Sequence, residues 1–196
     1  MRKVLRTIIV EATAMLIILA VIFTYINYSS ARIVHGPAPF PGKLITLDKF
    51  YSIVKARNLD IFIPSNLPWG YKLTGIWYMP GDIIIVFDNR GVSDYRYARI
   101  GLEISRGIIP FEQSKPHGYV VKYETPYAII KGYIVEKAYC IYSPTGYISL
   151  AELWITSKRT GKTMFYLIGV LPPLGMDELT TIIYSLKPMD EIFKEE

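Results

Sequence analysis

The chain has 196 residues, a net charge of +5 and a mean hydropathy of +0.26. Its single cysteine, Cys140, excludes an intramolecular disulfide, and two histidines far apart, His35 and His117, exclude a two-histidine metal motif. Residues 1–32 hold four basic groups against one acid, so the remainder is nearly balanced and lacks the basic stripe that tracks phosphates; no nucleic-acid partner and no cofactor is expected.

Arg2, Lys3 and Arg6 precede an apolar run over residues 8–26 that carries one charge, Glu11, and neither Pro nor Gly. A helix of about 19 residues at ~1.5 Å rise spans roughly 28 Å, close to the hydrocarbon thickness of a bilayer. The basic cluster lies on the N-terminal side, so residues 1–7 are expected in the cytoplasm and the chain beyond residue 28 outside. This predicts a single-pass protein of the cell membrane, anchored in the lipid bilayer through residues 8–28. The run exceeds the h-region of a cleaved signal peptide, which is the competing reading. Glu11 is the polar residue of the anchor, and an ionisable group there is a functional hypothesis by default. A mature chain starting at Thr7 would put Glu11 fifth, where type IV pilins carry a glutamate, although Arg6 stands where the processing peptidase generally wants Gly or Ala.

Gly36-Pro37-Ala38-Pro39-Phe40-Pro41-Gly42 follows, and its three prolines predict an extended stalk over residues 29–45. Thr46 is placed to cap a helix through about Arg57, with Leu47, Phe50 and Val54 on one face. From Ile61 the apolar period becomes that of strands. Residues 60–63 form a short one that stops at Pro64. Residues 71–78 and 83–87 form a hairpin around Met79-Pro80-Gly81-Asp82. Ile100, Leu102 and Ile104 alternate with Gly101, Glu103 and Ser105, the pattern of a half-buried strand. Residues 119–124, 128–142, 147–156 and 162–170 continue the series, joined by short turns that imply an antiparallel meander. Asp177 is placed to cap a last helix with Leu179, Ile182, Ile183 and Leu186 on one face, and Pro188 to stop it. The fold class expected is α+β: a transmembrane helix, then a curved antiparallel sheet packed by two amphipathic helices. The extracytoplasmic domain runs over residues 46–190 and a charged tail over 191–196. Gln occurs once, at Gln113, and few thermolabile amides beside many isoleucines suit a thermophilic archaeon.

The segment Ile63-Pro64-Ser65-Asn66-Leu67-Pro68-Trp69-Gly70-Tyr71-Lys72-Leu73 resembles the opening pattern of an uncharacterised extracytoplasmic domain family, domain of unknown function four-three-six-seven. Leu153-Trp154, Gly161, Tyr166-Leu167-Ile168-Gly169, Glu178-Leu179 and Ser185-Leu186 resemble its ending, in the same order. The likeness covers roughly residues 60–187 and implies an archaeal-type, membrane-anchored member. It implies location and fold, and no activity. Leu153 and Trp154 are adjacent here, where the family pattern separates them by one residue. Such a step swaps sheet faces, so the face that carries Trp154 stays open.

The candidate ligand or partner surface comprises Trp69, Tyr71, Phe111 and His117. Trp69 and Tyr71 belong to the Leu67-Pro68-Trp69-Gly70-Tyr71 motif, which reads either as an aromatic contact surface or as a tight turn into a strand. Phe111 and His117 lie in the irregular stretch over residues 106–122, long enough to carry function. A groove at the uncovered part of the sheet is expected to bring Phe111, Trp69 and Tyr71 together. The chain shows no nucleophile elbow and no phosphate-cradling loop, so no catalytic and no metal residue is assigned. The function expected is a non-enzymatic binding or sensor module of the cell envelope, facing an envelope protein or an apolar ligand. The alternatives are a type IV pilin-like filament subunit and, ranked last, a hydrolytic enzyme whose acid pair converges from distant strands.

Overall fold

The computed structural model describes residues 42–106, 110–114 and 117–193. The expected anchor with Glu11, the cytoplasmic tail and most of the stalk lie outside these residues. Among the described residues, no helix is long and apolar enough to cross a membrane.

Thr46 accepts a hydrogen bond from the Lys49 amide at 3.4 Å and starts the first helix as its side chain predicts. In chain order the elements are β1 (Lys43–Ile45), α1 (Leu47–Ala56), β2 (Phe62–Pro64), β3 (Lys72–Met79), β4 (Asp82–Asp88) and β5 (Ile100–Ser105). A short 3-10 turn (Phe111–Gln113) precedes β6 (Tyr119–Glu124), β7 (Ala128–Tyr139), β8 (Tyr147–Ser157) and β9 (Thr163–Val170). The chain closes with α2 (Met176–Tyr184), β10 (Leu186–Pro188) and α3 (Met189–Ile192). The protein is β-rich, mostly one large antiparallel sheet with few helices.

Eight strands form that sheet in the order β1-β3-β4-β5-β9-β8-β7-β6. Two meanders, β3-β4-β5 and β6-β7-β8-β9, meet where β9 pairs with β5. Alternation gives the sheet one continuous apolar face, with Ile85, Leu102, Ile130, Leu153 and Ile168 at its centre. Phe50 and Val54 of α1, Leu179, Ile182 and Ile183 of α2, and Met189 of α3 belong to the same core. Burying such side chains contributes about 1.5–3 kcal/mol each and outweighs the weak propensity of helices this short.

Four local expectations are corrected. Residues 43–45, assigned to the stalk, pair with β3 as an edge strand, so the domain begins earlier. Helix α2 starts at Met176 rather than behind an Asp177 cap; the Gly175 amide is held by the Glu178 carboxylate at 2.8 Å. Pro188 does not stop that helix. The helix ends at Tyr184, and Leu186–Pro188 pairs with Phe62–Pro64 as a separate two-stranded ribbon. Within the tail assigned to 191–196, Ile192 and Phe193 pack on the core.

Tyr166 ties the ribbon to the sheet. It is fully buried, and its hydroxyl oxygen accepts the Phe62 amide at 2.9 Å. Burial drives its phenol far above the ordinary tyrosine value. Replacing Tyr166 by Phe leaves the Phe62 N–H buried without its acceptor. The variant is expected to lose about 1–3 kcal/mol of stability at an unchanged denaturant slope, read from urea unfolding of the domain.

Candidate functional site

The opposite face of the sheet carries the candidate site. The strand registers set Ile84, Glu103, Leu167, Glu152 and Tyr133 side by side across it, on β4, β5, β9, β8 and β7 in turn. Two loops border this row.

The first border is the loop over residues 89–99. Asp88 anchors it from the end of β4. Its buried carboxylate accepts the Arg90 amide at 2.6 Å, the Arg90 guanidinium at 2.7 and 3.1 Å, and the Arg99 amide at 3.0 Å. Burial raises the Asp88 pKa, but the hydrogen bonds from Arg90 and Arg99 outweigh it and hold the carboxyl below its ordinary value. Thr74 donates to the Val92 carbonyl at 2.6 Å and the Trp77 indole to the Ser93 carbonyl at 2.8 Å. The loop lies so close that a Cβ on Gly75 would come within 2.9 Å of the Ser93 oxygen. These bonds press Tyr95 and Arg96 toward the strands.

The second border is the segment around Phe111–Gln113. Phe111 stacks on Tyr133, with centroids 5.2 Å apart, and meets Trp154 edge-on at 5.5 Å. His117 tilts against Tyr133 at 4.8 Å, and its Nε2 lies 3.0 Å from a Glu152 oxygen. Gly118, at φ 70°, turns the chain into β6; a Cβ there would sit 2.1 Å from the Ile134 oxygen. Phe111, Trp154 and Phe165 line a pocket of about 280 Å³ with the Lys131–Glu112 pair and the hydroxyls of Thr156 and Thr163 at its rim.

Between the borders runs a shallow apolar trough of about 100 Å³. Leu150 and Leu167 flank it, Tyr95 and Tyr142 wall it, and the paired glycines Gly101 and Gly169 leave its floor bare. Glu103 lines it among these apolar groups. Among the described residues Glu103 has no hydrogen bond and no ion pair. Burial, and then the charge of Asp82, raise its pKa above the ordinary glutamate value. The arrangement is an apolar slot beside an aromatic pocket, with one uncompensated carboxylate.

Phe111 and His117, singled out by sequence, come together here. Trp69 and Tyr71 do not join them, and the expected groove holding Phe111, Trp69 and Tyr71 does not form. Both residues lie at the start of β3, and β4, β5 and β9 intervene before β8. Trp69 is 98% exposed at a turn that the Tyr71 amide closes onto the Pro68 carbonyl at 3.0 Å, with Gly70 at φ 80°. Tyr71 packs against the helix-side core. Trp154 is placed on the second face and is buried there, because Leu153 takes the core side. Sequence reasoning passed over Glu103, Tyr133 and Phe165. Each alternates with core residues and reads as an ordinary outward position.

A larger cavity, about 680 Å³, lies between α1 and α3. Two of its lining charges pair with each other, Arg159 with Asp190, and Arg159 also meets Asp60, which accepts from Ser157. It reads as a seam between elements. Among the described residues, no three His, Cys, Asp or Glu side chains group to hold a metal ion.

The raised Glu103 carboxyl fixes a sign. A carboxylate whose folded pKa exceeds its unfolded one favours the fold at low pH, and that advantage is lost as pH rises through the folded value. Glu103→Gln removes the cost of ionisation. The variant is expected to melt above the wild type at pH 7 and together with it below about pH 4. Thermal scans at both pH values check this, and equal midpoints at pH 7 would contradict it. No protein-family profile, no curated protein and no solved structure matches the chain.

Proposed function

We propose that this protein is a membrane-anchored extracytoplasmic binding or sensor module of the cell envelope, without enzymatic activity, and that the second sheet face is its binding surface. In this reading the sheet is a curved support. The amphipathic helices α1 and α2 pack one face, residues 8–28 hold the chain in the bilayer with the N-terminus in the cytoplasm, and the stalk sets the domain off the membrane. The observation that carries the binding role is the trough and pocket between two anchored loops, with Glu103 uncompensated among apolar side chains. The basic cluster before an apolar run supports the location. The likeness of residues 63–73 and of the ordered ending to the extracytoplasmic family points the same way.

Three measurements test the proposal. Protease added to intact cells is expected to remove the domain, whereas a protected domain overturns the topology. Mass spectrometry of the extracted chain is expected to find residues 1–6 intact; a native N-terminus at Thr7 would instead favour the pilin-like filament. A photo-crosslinking residue at Leu167 is expected to capture a partner in cells that the same residue at Lys49, on α1, does not. Equal capture, or none, removes the second face as the binding surface.

A further inference from the structure

The size and charge of the trough narrow what it accepts. Its volume of about 100 Å³ is well below the ~300–1,000 Å³ of sites that enclose a drug-sized ligand. That is the scale of one unbranched side chain rather than of an enclosed small molecule. The empty space lies over the glycine pair. A Cβ built on Gly101 meets no atom within 4 Å, and one on Gly169 makes only ordinary contacts with Ile148 and Leu150.

Among the described residues that line it, the charge left without a partner is negative. Glu103 lines the trough, and Asp82 lies on the same face within its electrostatic reach. Arg96, the basic group of the wall, is held by Asp94 at 2.6 Å, and Glu152, across Leu167, is held by His117. A carboxylate in an apolar slot calls for a cation with an apolar stem. A lysine has four methylenes and a compact ammonium, which suit a narrow slot ending on a single carboxylate. The planar arginine fork prefers bidentate partners and more width. The surroundings favour a protein as the source of that lysine. Tyr97 and Ile141, beside the wall residues, are 51% and 58% exposed, an apolar rim for flanking residues to cover. The pocket over Trp154 and Phe165 lies next along β9, where Phe165 is two residues from Leu167 at the edge of the trough, so a flanking residue of the same partner can reach it.

We infer that the trough receives the side chain of a lysine from a partner protein, the apolar stem lying over Gly101 and Gly169 and the ammonium meeting the Glu103 carboxylate. This rests on the reading of the second face as a binding surface. The test uses the full chain in detergent and follows the Gly101 and Gly169 amides by NMR. The probes are an end-capped alanine–lysine–alanine peptide, its norleucine counterpart and n-pentylamine. The lysine peptide is expected to shift both glycine signals saturably, and the norleucine peptide to bind about tenfold more weakly. Glu103→Gln is expected to erase that difference, and Gly101→Leu, which fills open space, to abolish binding of both peptides at a wild-type melting temperature. Equal binding of lysine and norleucine by the wild type overturns the charge assignment and leaves the second face as a binding surface. Pentylamine binding as tightly as the peptide overturns the protein source. No shift with any probe overturns the inference, while capture from Leu167 in cells still decides the wider reading.

Discussion

Strands β5 and β9 lie far apart in the chain and pair at the centre of the sheet. Each closes a meander that is built from local turns. Without their pairing the chain would make two small sheets, each with an open edge and half a core. Their register decides both faces at once. On one side it stacks Leu102 beside Ile168 and Ile104 beside Tyr166, under the helices. On the other it sets Gly101 against Gly169 and Glu103 against Leu167, the floor of the trough. A slip of one residue would carry every one of these side chains to the wrong face.

The two faces solve different physical problems. The helix side is a continuous apolar core in which two tyrosine hydroxyls bond the backbone: Tyr166 accepts the Phe62 amide, and Tyr123 donates to the Ile183 carbonyl at 2.6 Å. These bonds lock the ribbon and α2 onto the sheet. The second face is patchy instead. A small cluster around Ile84 and Val86 and another around Ile148 and Leu150 flank the central strands. Aromatic stacking under Phe111 closes one end. The 89–99 loop is held by hydrogen bonds to Asp88, Thr74 and Trp77, and Phe111 by ring contacts with Tyr133 and Trp154.

Asp88 and Glu103 show how environment separates two carboxylates on neighbouring strands. Burial opposes ionisation of both. Asp88 receives two backbone N–H groups and a guanidinium, which overcome that penalty and make it a structural anchor. Glu103 receives no such donor among the described residues, so the penalty stands. A group that weakens the fold while ionised, at the floor of an open apolar slot, is better suited to meeting a cation than to holding the sheet together.

Local physics made most of the elements legible in the sequence. The Thr46 cap, the Pro80–Gly81 turn, and the alternation over residues 100–105 and 119–124 depend on near neighbours, and each lies where the pattern placed it. The irregular stretch around Phe111 and His117 was also legible, from its length and composition. The misplaced groove, the face of Trp154 and the role of Glu103 depended on something else. Trp69 and Tyr71 looked like neighbours of Phe111 only while strand order was unknown. Inserting β9 between β5 and β8 put three strands between them. Glu103 looked like any outward residue of a half-covered strand, because alternation assigns a face but does not say what else lies on it. The sequence alone determined most of the strands and turns, through interactions a few residues in range. Only the tertiary structure decided which strands are neighbours, and with them which side chains share a face, because that choice is made by side chains meeting across pairs distant in the chain.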